Sequence, residues 1–142
     1  MAKPISEQVV VITGASSGIG RETAKRLASK GARVVVSARR EEPLDDLVNE
    51  IKSAGGQAVA IPADVSLFED MRSLAAGAVD EFGRIDTWVN NAAQYLVGEF
   101  EKTTLEEARR LFDVNFWGGV HGTKAALEVM RRQNEGTIIG VT

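Results

Sequence analysis

Near its amino terminus the chain reads Thr13-Gly14-Ala15-Ser16-Ser17-Gly18-Ile19-Gly20, directly after the apolar run Val9-Val10-Val11-Ile12. This pattern predicts a buried strand that turns sharply, through three glycines, into a helix. Glycine permits backbone angles and a close approach that a Cβ would block. The first turn of a helix presents unpaired N–H groups and the positive end of the helix dipole. The pattern therefore favours a phosphate-binding loop, with an ordinary β–α turn as the alternative until the context of the motif is known.

The composition is that of an ordinary globular domain. With 142 residues, 44% hydrophobic and 26% charged, the chain is expected to form one domain over residues 1–142. A net charge of −3 does not favour nucleic acid or an anionic membrane as a partner. The sequence has no cysteine, so disulfides, thiolate nucleophiles and cysteine metal sites are excluded, and no metal site is predicted.

The hydropathy pattern gives an expectation about location. The amino terminus lacks the apolar core of a signal peptide, and no apolar stretch approaches the ~20 residues of a membrane span. A cytoplasmic protein is therefore expected.

Hydrophobic periodicity predicts alternating strands and helices along the whole chain. Strands are predicted at residues 8–13, 33–40, 57–61, 85–89 and 137–142. Helices are predicted between them: one over residues 18–30, one with Pro43 in its first turn, one closed by Gly83, and a long one from about Thr104.

Capping residues and apolar stripes refine these helices. Ser66 with Glu69 three residues later is a capping-box pattern, and Thr103 and Thr104 offer caps with Glu106 and Glu107 in the first turn. The first helix is expected to direct three side chains to one face, namely Ile19, Thr23 and Leu27. The long helix is expected to carry an apolar stripe, formed by Ala108, Leu111, Phe112, Asn115, Phe116, Gly119, Thr123, Ala126, Leu127 and Met130.

Such alternation predicts a Rossmann-like α/β fold, a doubly wound parallel sheet with helices on both faces and right-handed crossovers. The expected strand order is 3-2-1-4-5. The ligand crevice is then expected at the carboxyl ends of the strands, beside the first turn, where the strand order reverses. This context favours the phosphate loop over the ordinary turn.

Four motifs in one order make the sequence resemble the short-chain dehydrogenase/reductase family over nearly the whole chain. Residues 13–20 match the family's TGxxxGxG loop, and Asp64-Val65 follows the third strand, where the family contacts adenine. Residues 90–93, Asn-Asn-Ala-Ala, match the NNAG element, with Ala93 in place of glycine. Asn115 matches the asparagine of the catalytic tetrad. The resemblance implies cofactor contacts at Gly14, Ser16, Ser17, Gly18, Ile19, Gly20, Asp64, Val65, Asn91, Ala92 and Ala93.

Each motif has its own chemistry. Asp64 can accept a hydrogen bond from the exocyclic amine of adenine, and Val65 can pack on the ring; alternatively, Asp64 stabilises a helix start. Asn90 and Asn91 can bridge backbone groups and cofactor, or serve local turn chemistry, or both. The extra methyl group of Ala93 puts a close backbone approach in doubt.

Asn115 lies on the apolar stripe of the long helix, so we expect a buried amide that needs a partner. The family resemblance implies that it holds a water of a proton relay, and the alternative is a helix-packing amide. His121, the single histidine, matches no catalytic position of the family. It is interpreted as a packing or surface residue.

The end of the second strand indicates the cofactor. NAD-specific folds place Asp or Glu there for the ribose 2′-hydroxyl, and NADP-specific folds offer arginine to the 2′-phosphate. Here Ala38 occupies the acidic position, and Arg39 and Arg40 follow. Guanidinium groups can bind a phosphate bidentately, so NADP(H) is preferred over NAD(H). Ser17 stands where some NADP-dependent members carry a basic residue, and a solvated charge run over residues 39–42 is the alternative.

The family resemblance implies hydride transfer between a nicotinamide and a carbonyl or alcohol, with a tyrosine as general acid/base beside a lysine and a serine. Only Asn115 of that tetrad has a match here, since Tyr95 lies outside any YxxxK motif. The family's seven-stranded domain is thus incomplete, and the chain is expected to bind cofactor without catalysis unless the missing portion is supplied. The alternatives are a non-catalytic nucleotide-binding module and an assembly subunit completed by a partner chain.

An incomplete domain is also expected to self-associate. Phe112, Phe116 and Trp117 risk exposure as a large apolar patch, and the fifth strand would be an edge with unpaired backbone groups. A homo-oligomer, or else a poorly stable monomer, is expected.

Overall fold

The chain folds around a sheet of five parallel strands in the order β3-β2-β1-β4-β5. The structure, a computed structural model, describes residues 3–142. The strands are β1 (Val9–Thr13), β2 (Arg33–Ser37), β3 (Gln57–Ala60), β4 (Thr87–Asn90) and β5 (Thr137–Gly140). The strand order and parallel pairing confirm the prediction, although β2 ends at Ser37, before the arginines that were predicted to extend it.

Helices cover both faces of this sheet. They are α1 (Gly18–Ser29), α2 (Glu41–Ser53), α3 (Phe68–Phe82), α4 (Leu105–Phe112) and α5 (Gly118–Gln133). Successive side chains of a strand point to opposite faces. Accordingly, Val10 and Ile12 pack with α1 and α2, whereas Val11 packs with α3 and α5. Every residue of β1 is buried, because the strand is central and covered on both faces.

Helix α1 turns a face of small residues to the sheet. Its buried residues are Gly20, Ala24 and Ala28, whereas the Ile19 side chain is 66% exposed. Small residues on the inner face let the helix lie close to the strands. On the face formed by Ile19, Thr23 and Leu27, the Leu27 side chain is partly buried against the core, whereas Ile19 lies on the solvent side.

The predicted helix caps had opposite outcomes. Thr104 and Glu107 form a reciprocal capping box at the start of α4, which confirms that prediction. The capping box predicted for Ser66 and Glu69 is absent from the described residues, since α3 begins at Phe68 after an N-cap, Leu67, that makes no side-chain bond. Instead, the Ser66 hydroxyl donates to Asp64 Oδ1 over 2.7 Å.

The long helix predicted from Thr104 is divided by a π-helical turn, Asp113–Trp117. The extra residue of a π-turn rotates the following helix relative to the preceding one. The buried face is therefore Val114, Gly118, Gly122, Ala125, Ala126, Val129 and Met130. The predicted stripe assumed a uniform 3.6-residue period, and of its members only Ala126 and Met130 belong to this buried face.

Large apolar side chains lie on the solvent side of this interrupted helix. Phe112, Phe116 and Trp117 are 65%, 54% and 48% exposed. That exposure agrees with the prediction for these residues, and self-association stays a prediction. Among residues 3–142, no helix combines the length and hydropathy needed to cross a bilayer.

Candidate functional site: the crevice at the carboxyl ends of β1 and β4

Thr13 and Asn91 join the glycine-rich loop to the end of β4. The buried Thr13 hydroxyl accepts the N–H groups of Asn91 and Ala92 over 3.1 and 3.2 Å, and donates to the Val89 carbonyl over 3.3 Å. The Asn91 amide donates to the carbonyls of Thr13 and Gly14 over 3.1 and 3.2 Å. Asn91 therefore bridges backbone groups, as one of its predicted roles required.

Two positions of the loop, Gly14 and Gly18, are occupied by glycine for different structural reasons. Gly14 has a φ of +68°, and a Cβ there would lie 2.7 Å from Ala92 Cα, so the loop can rest on β4 only with glycine. Gly18 has a φ of +56° and open space where a Cβ would stand. Gly14 therefore serves internal packing, whereas Gly18 leaves the start of α1 open to an approaching group.

The start of α1 differs chemically from the starts of α2, α3 and α4. Its N-cap, Ser17, makes no side-chain bond, and its first turn holds no acidic residue. The first turns of α2, α3 and α4 each hold two acidic side chains. The first N–H groups of α1 and its dipole are therefore available to an anion without a competing carboxylate.

Beside the loop lies a cavity of about 170 Å³. It brings together most of the predicted cofactor contacts, but Ser17, Gly18, Ile19, Gly20 and Asn91 are not among the residues that line it. The residues that line it are Gly14, Ser16, Ala38, Arg39, Arg40, Ala63, Asp64, Val65, Ala92, Ala93, Gln94 and Val114.

Arg39 and Arg40 form the basic wall of this cavity. They follow β2 directly, are exposed, and precede α2. Among residues 3–142, no ion pair or hydrogen bond of the structure involves either guanidinium group. Ala38, at the same strand end, contributes no carboxylate. This wall is thus electropositive and its donors are available to an anionic ligand.

Asp64 forms a second, acidic wall of the cavity. Its Oδ1 accepts the Ser66 N–H over 2.9 Å and the Ser66 hydroxyl over 2.7 Å, and its Oδ2 accepts Arg110 Nη2 over 2.9 Å. Burial alone would raise the pKa of Asp64, but the hydrogen bonds from Ser66 and Arg110, with the charge of Arg110, hold it below its ordinary value. Asp64 is therefore a carboxylate at neutral pH.

Three helices hold the segment from Asp64 to Ser66. Asp70 of α3 accepts the Asp64 N–H over 2.8 Å, Arg110 of α4 binds the carboxylate, and His121 of α5 binds the Val65 carbonyl through Nδ1 over 2.9 Å. His121 also packs on Phe68 and Trp117, which agrees with its interpretation as a packing residue. Sequence reasoning missed Arg110 and Asp70, because no motif relates them to Asp64.

Asn115 is exposed and not buried as predicted. It lies in the π-helical turn, and its amide clamps one backbone unit: Oδ1 accepts the Gln94 N–H over 2.8 Å, and Nδ2 donates to the Gln94 carbonyl over 2.9 Å. The π-turn places this side chain beside the loop after β4 rather than against the sheet. Asn115 thus finds its partner in the loop, and Gln94 in turn lines the cavity.

A second cavity, of about 400 Å³, adjoins the first. Val65 and Ala92 line both, and Asn115, Thr123 and Gly140 line the second. Tyr95 is 91% exposed in the loop after β4. Within residues 3–142, no group of three or more His, Asp or Glu side chains is arranged to hold a metal ion.

The sequence and the fold match one protein family. The sequence model of the family described as short chain dehydrogenase matches residues 8–142. The chain belongs to the short-chain dehydrogenase family. Within the family, the chain is 51% identical over 126 residues to YxnA of Bacillus subtilis (strain 168), an uncharacterized oxidoreductase. That alignment covers 89% of this chain and 35% of YxnA.

Solved structures of family members have the same fold. A short-chain type dehydrogenase/reductase from Mycobacterium marinum superposes with a TM-score of 0.90 at 36% identity, covering 94% of this chain and 54% of that one. A metagenomic short-chain oxidoreductase in complex with NADP also has a TM-score of 0.90, at 35% identity, covering 99% of this chain and 64% of that one. The chain thus spans between about a third and two thirds of the length of these relatives.

Proposed function

We propose that this chain is the NADP(H)-binding part of a short-chain oxidoreductase. The observation that carries the proposal is the basic wall: Arg39 and Arg40 are exposed beside the same cavity as Gly14 and Asp64, and Ala38 supplies no carboxylate. A carboxylate at that strand end would bind a ribose 2′-hydroxyl and repel a 2′-phosphate, whereas a guanidinium favours the phosphate.

The residues present fit such a cofactor. The open space at Gly18 and the uncapped start of α1 suit a pyrophosphate. Asp64 and Val65 would form the adenine end, and Arg39 with Arg40 would hold the 2′-phosphate. The loop after β4, with Ala92, Ala93 and Gln94, would border the path from ribose to nicotinamide. Ala93, which stands at the position of the family's glycine, is exposed and lines the cavity.

The chemistry proposed for the whole protein is hydride transfer between nicotinamide and a carbonyl or alcohol, which the bound cofactor would supply. This chain's own residues would bind and orient. Asn115 would position the Gln94 backbone beside the cavity, and its second amide hydrogen would remain for a water. Within the 142 residues no serine, tyrosine or lysine matches the rest of the tetrad, so the polypeptide by itself is expected to bind cofactor without turnover.

Arg39→Ala tests the cofactor preference. The variant should weaken NADPH binding by ~1.5–3 kcal/mol, the usual worth of a hydrogen bond to a charged group. NADH binding should barely change, because NADH has no 2′-phosphate. Isothermal titration of both cofactors to the parent and variant chains measures the difference.

Arg26→Ala is the matched control, since Arg26 is an exposed cation of α1 that does not line the cavity. It should leave both affinities unchanged. Equal losses for NADPH and NADH in Arg39→Ala, or a parent chain that binds neither, would refute the assignment.

A further inference from the structure

Arg110 connects the acidic wall of the cavity to a helix that the cofactor motifs do not include. It lies near the end of α4, 46 residues after Asp64, and its side chain is 36% exposed. Its Nη2 donates to Asp64 Oδ2 over 2.9 Å, and its Nη1 donates to the Ser66 hydroxyl over 2.8 Å. That hydroxyl donates to Asp64 Oδ1. The three side chains form a closed ring of hydrogen bonds.

The ring leaves a defined part of the carboxylate available. A carboxylate offers about four acceptor positions. The Ser66 N–H and hydroxyl use two on Oδ1, and Arg110 uses one on Oδ2. The remaining acceptor position therefore belongs to Oδ2, the oxygen that Arg110 holds, and Asp64 borders the cavity.

We propose that Arg110 is a positioning residue of the adenine site: it orients Asp64 Oδ2 so that this oxygen accepts a hydrogen bond from an exocyclic amine of a bound purine. The inference rests on the proposed function. Rotation of the Asp64 side chain about its terminal torsion has a broad energy profile. The planar fork of a guanidinium, bound simultaneously to Asp64 and Ser66, restricts that rotation in a way that Ser66 alone cannot.

The neighbouring contacts favour an orienting role over a merely structural one. The backbone of this segment is already held by Asp70 at the Asp64 N–H and by His121 at the Val65 carbonyl. Removal of Arg110 thus leaves the segment attached to α3 and α5. What the removal changes is the direction and the solvation of the carboxylate.

Arg110→Met tests the proposal, because methionine retains an unbranched stem and removes the donors. Two ligands are titrated: NADPH, and its hypoxanthine analogue, which carries a carbonyl where adenine has the amine. The variant should bind NADPH about tenfold more weakly than the parent chain, the loss expected for a positioned hydrogen bond to a charged group. The analogue should already bind the parent weakly, and Arg110→Met should weaken it further by less than about twofold.

Arg109→Met is the matched control. Arg109 is the exposed neighbour on the same helix, and no hydrogen bond or ion pair of its side chain is found among residues 3–142. This variant should leave the affinity for both ligands unchanged. If circular dichroism shows that Arg110→Met does not fold, Arg110→Lys is used instead, since it retains the charge without the fork. Arg110→Lys should show a smaller loss of NADPH affinity with the same selectivity over the analogue.

The outcomes separate the two proposals. Equal weakening of NADPH and the analogue in Arg110→Met would show a merely structural role and overturn the inference alone, as would an unchanged NADPH affinity. A parent chain that binds neither ligand would overturn the proposed function and, with it, the role of Arg110.

Discussion

Two aspartates at opposite ends of the parallel sheet have similar chemical partners. Asp64 follows β3 at the carboxyl end and binds Arg110, the Ser66 hydroxyl and one backbone N–H. Asp86 precedes β4 at the amino end and binds Arg84, Lys3 and the Val9 N–H. For each, burial alone would raise the pKa, but the hydrogen bonds from its partners hold the pKa below its ordinary value.

Each of the two ends also has an amide clamp, a side-chain amide that binds both the N–H and the carbonyl of one residue. At the carboxyl end Asn115 binds both backbone groups of Gln94. At the amino end Gln133 accepts the Ile85 N–H over 3.0 Å and donates to the Ile85 carbonyl over 2.7 Å. Asn115 is exposed, whereas Gln133 is half-buried and Ile85 is fully buried.

The difference between the two ends is solvent access. Asp86 is 7% exposed, whereas the Asp64 side chain is 23% exposed and borders a cavity. Ligand crevices of open α/β sheets form outside the carboxyl ends of the strands. We call the amino end of the sheet, with Asp86, the closed end, and the carboxyl end, with Asp64, the open end. Similar polar groups therefore stabilise the fold at the closed end, and at the open end they are available to a ligand. Substitutions at matched positions test this interpretation.

The largest effect on stability is expected from Asp86→Ala. Removal of this carboxylate leaves the buried Val9 N–H without an acceptor and deprives Arg84 and Lys3 of their partner. The free energy of unfolding should fall by about 3 kcal/mol, because buried donors that lose a charged acceptor are costly. Urea denaturation followed by circular dichroism measures it.

Asp64→Ala is the matched variant at the open end. Its stability loss should stay below about 1 kcal/mol, since water reaches the released Arg110 side chain. A loss as large as that of Asp86→Ala would contradict the distinction between the two ends.

An intermediate effect is expected in the pH dependence of stability. The folded-state pKa of Asp86 is lowered from its ordinary value of 3.8. The carboxylate therefore contributes stability at pH values above its ordinary pKa, and this contribution is lost as the pH falls through the folded-state pKa. The unfolding free energy of the parent should thus decrease as the pH falls from about 5 to about 2. Asp86→Ala should decrease less steeply than the parent.

Comparison of variants is needed because other carboxyls with lowered pKa, such as those of Glu50 and Glu107, titrate in the same range. Urea denaturation at several pH values gives the slopes. Identical slopes in parent and Asp86→Ala would mean that Asp86 has the same pKa folded and unfolded.

The smallest effects are expected from the two amide clamps. Gln133→Ala should cost about 1–2 kcal/mol, because the fully buried Ile85 loses partners for both backbone groups. Asn115→Ala should cost less than about 1 kcal/mol, because water can replace the amide at an exposed position. Thermal unfolding of the two variants compares them directly, and a larger loss in Asn115→Ala would reverse the assignment of the closed and open ends.

Much of the fold follows from local sequence patterns. The apolar β-branched runs predict the strands, the glycines and caps predict where helices begin and end, and the alternation of the two predicts the parallel sheet. The cap at Thr104 was predicted, because its partner Glu107 lies only three residues later. The glycine-rich loop and the basic pair after β2 were predicted for the same reason, since each motif is contiguous.

The errors about Ser66 and Asn115 share one origin. Ser66 was assigned to a helix cap, but it binds Asp64 within a ring closed by Arg110. Asn115 was assigned to the core, but the π-helical turn moves it to the loop of Gln94. In both cases a residue distant in sequence, or a change of helical period, competes with the local pattern.

The sequence by itself determined the order of elements, the glycine-rich loop and the family, because these depend on periodicity and on contiguous motifs. The tertiary structure decided which side chains share the crevice: Arg110 beside Asp64, Asn115 beside Gln94, and the placement of Asp86 at the closed end. Such contacts join residues that lie far apart in the chain, and no local propensity encodes them. They arise only when packing of the sheet and its helices brings the partners within hydrogen-bonding distance.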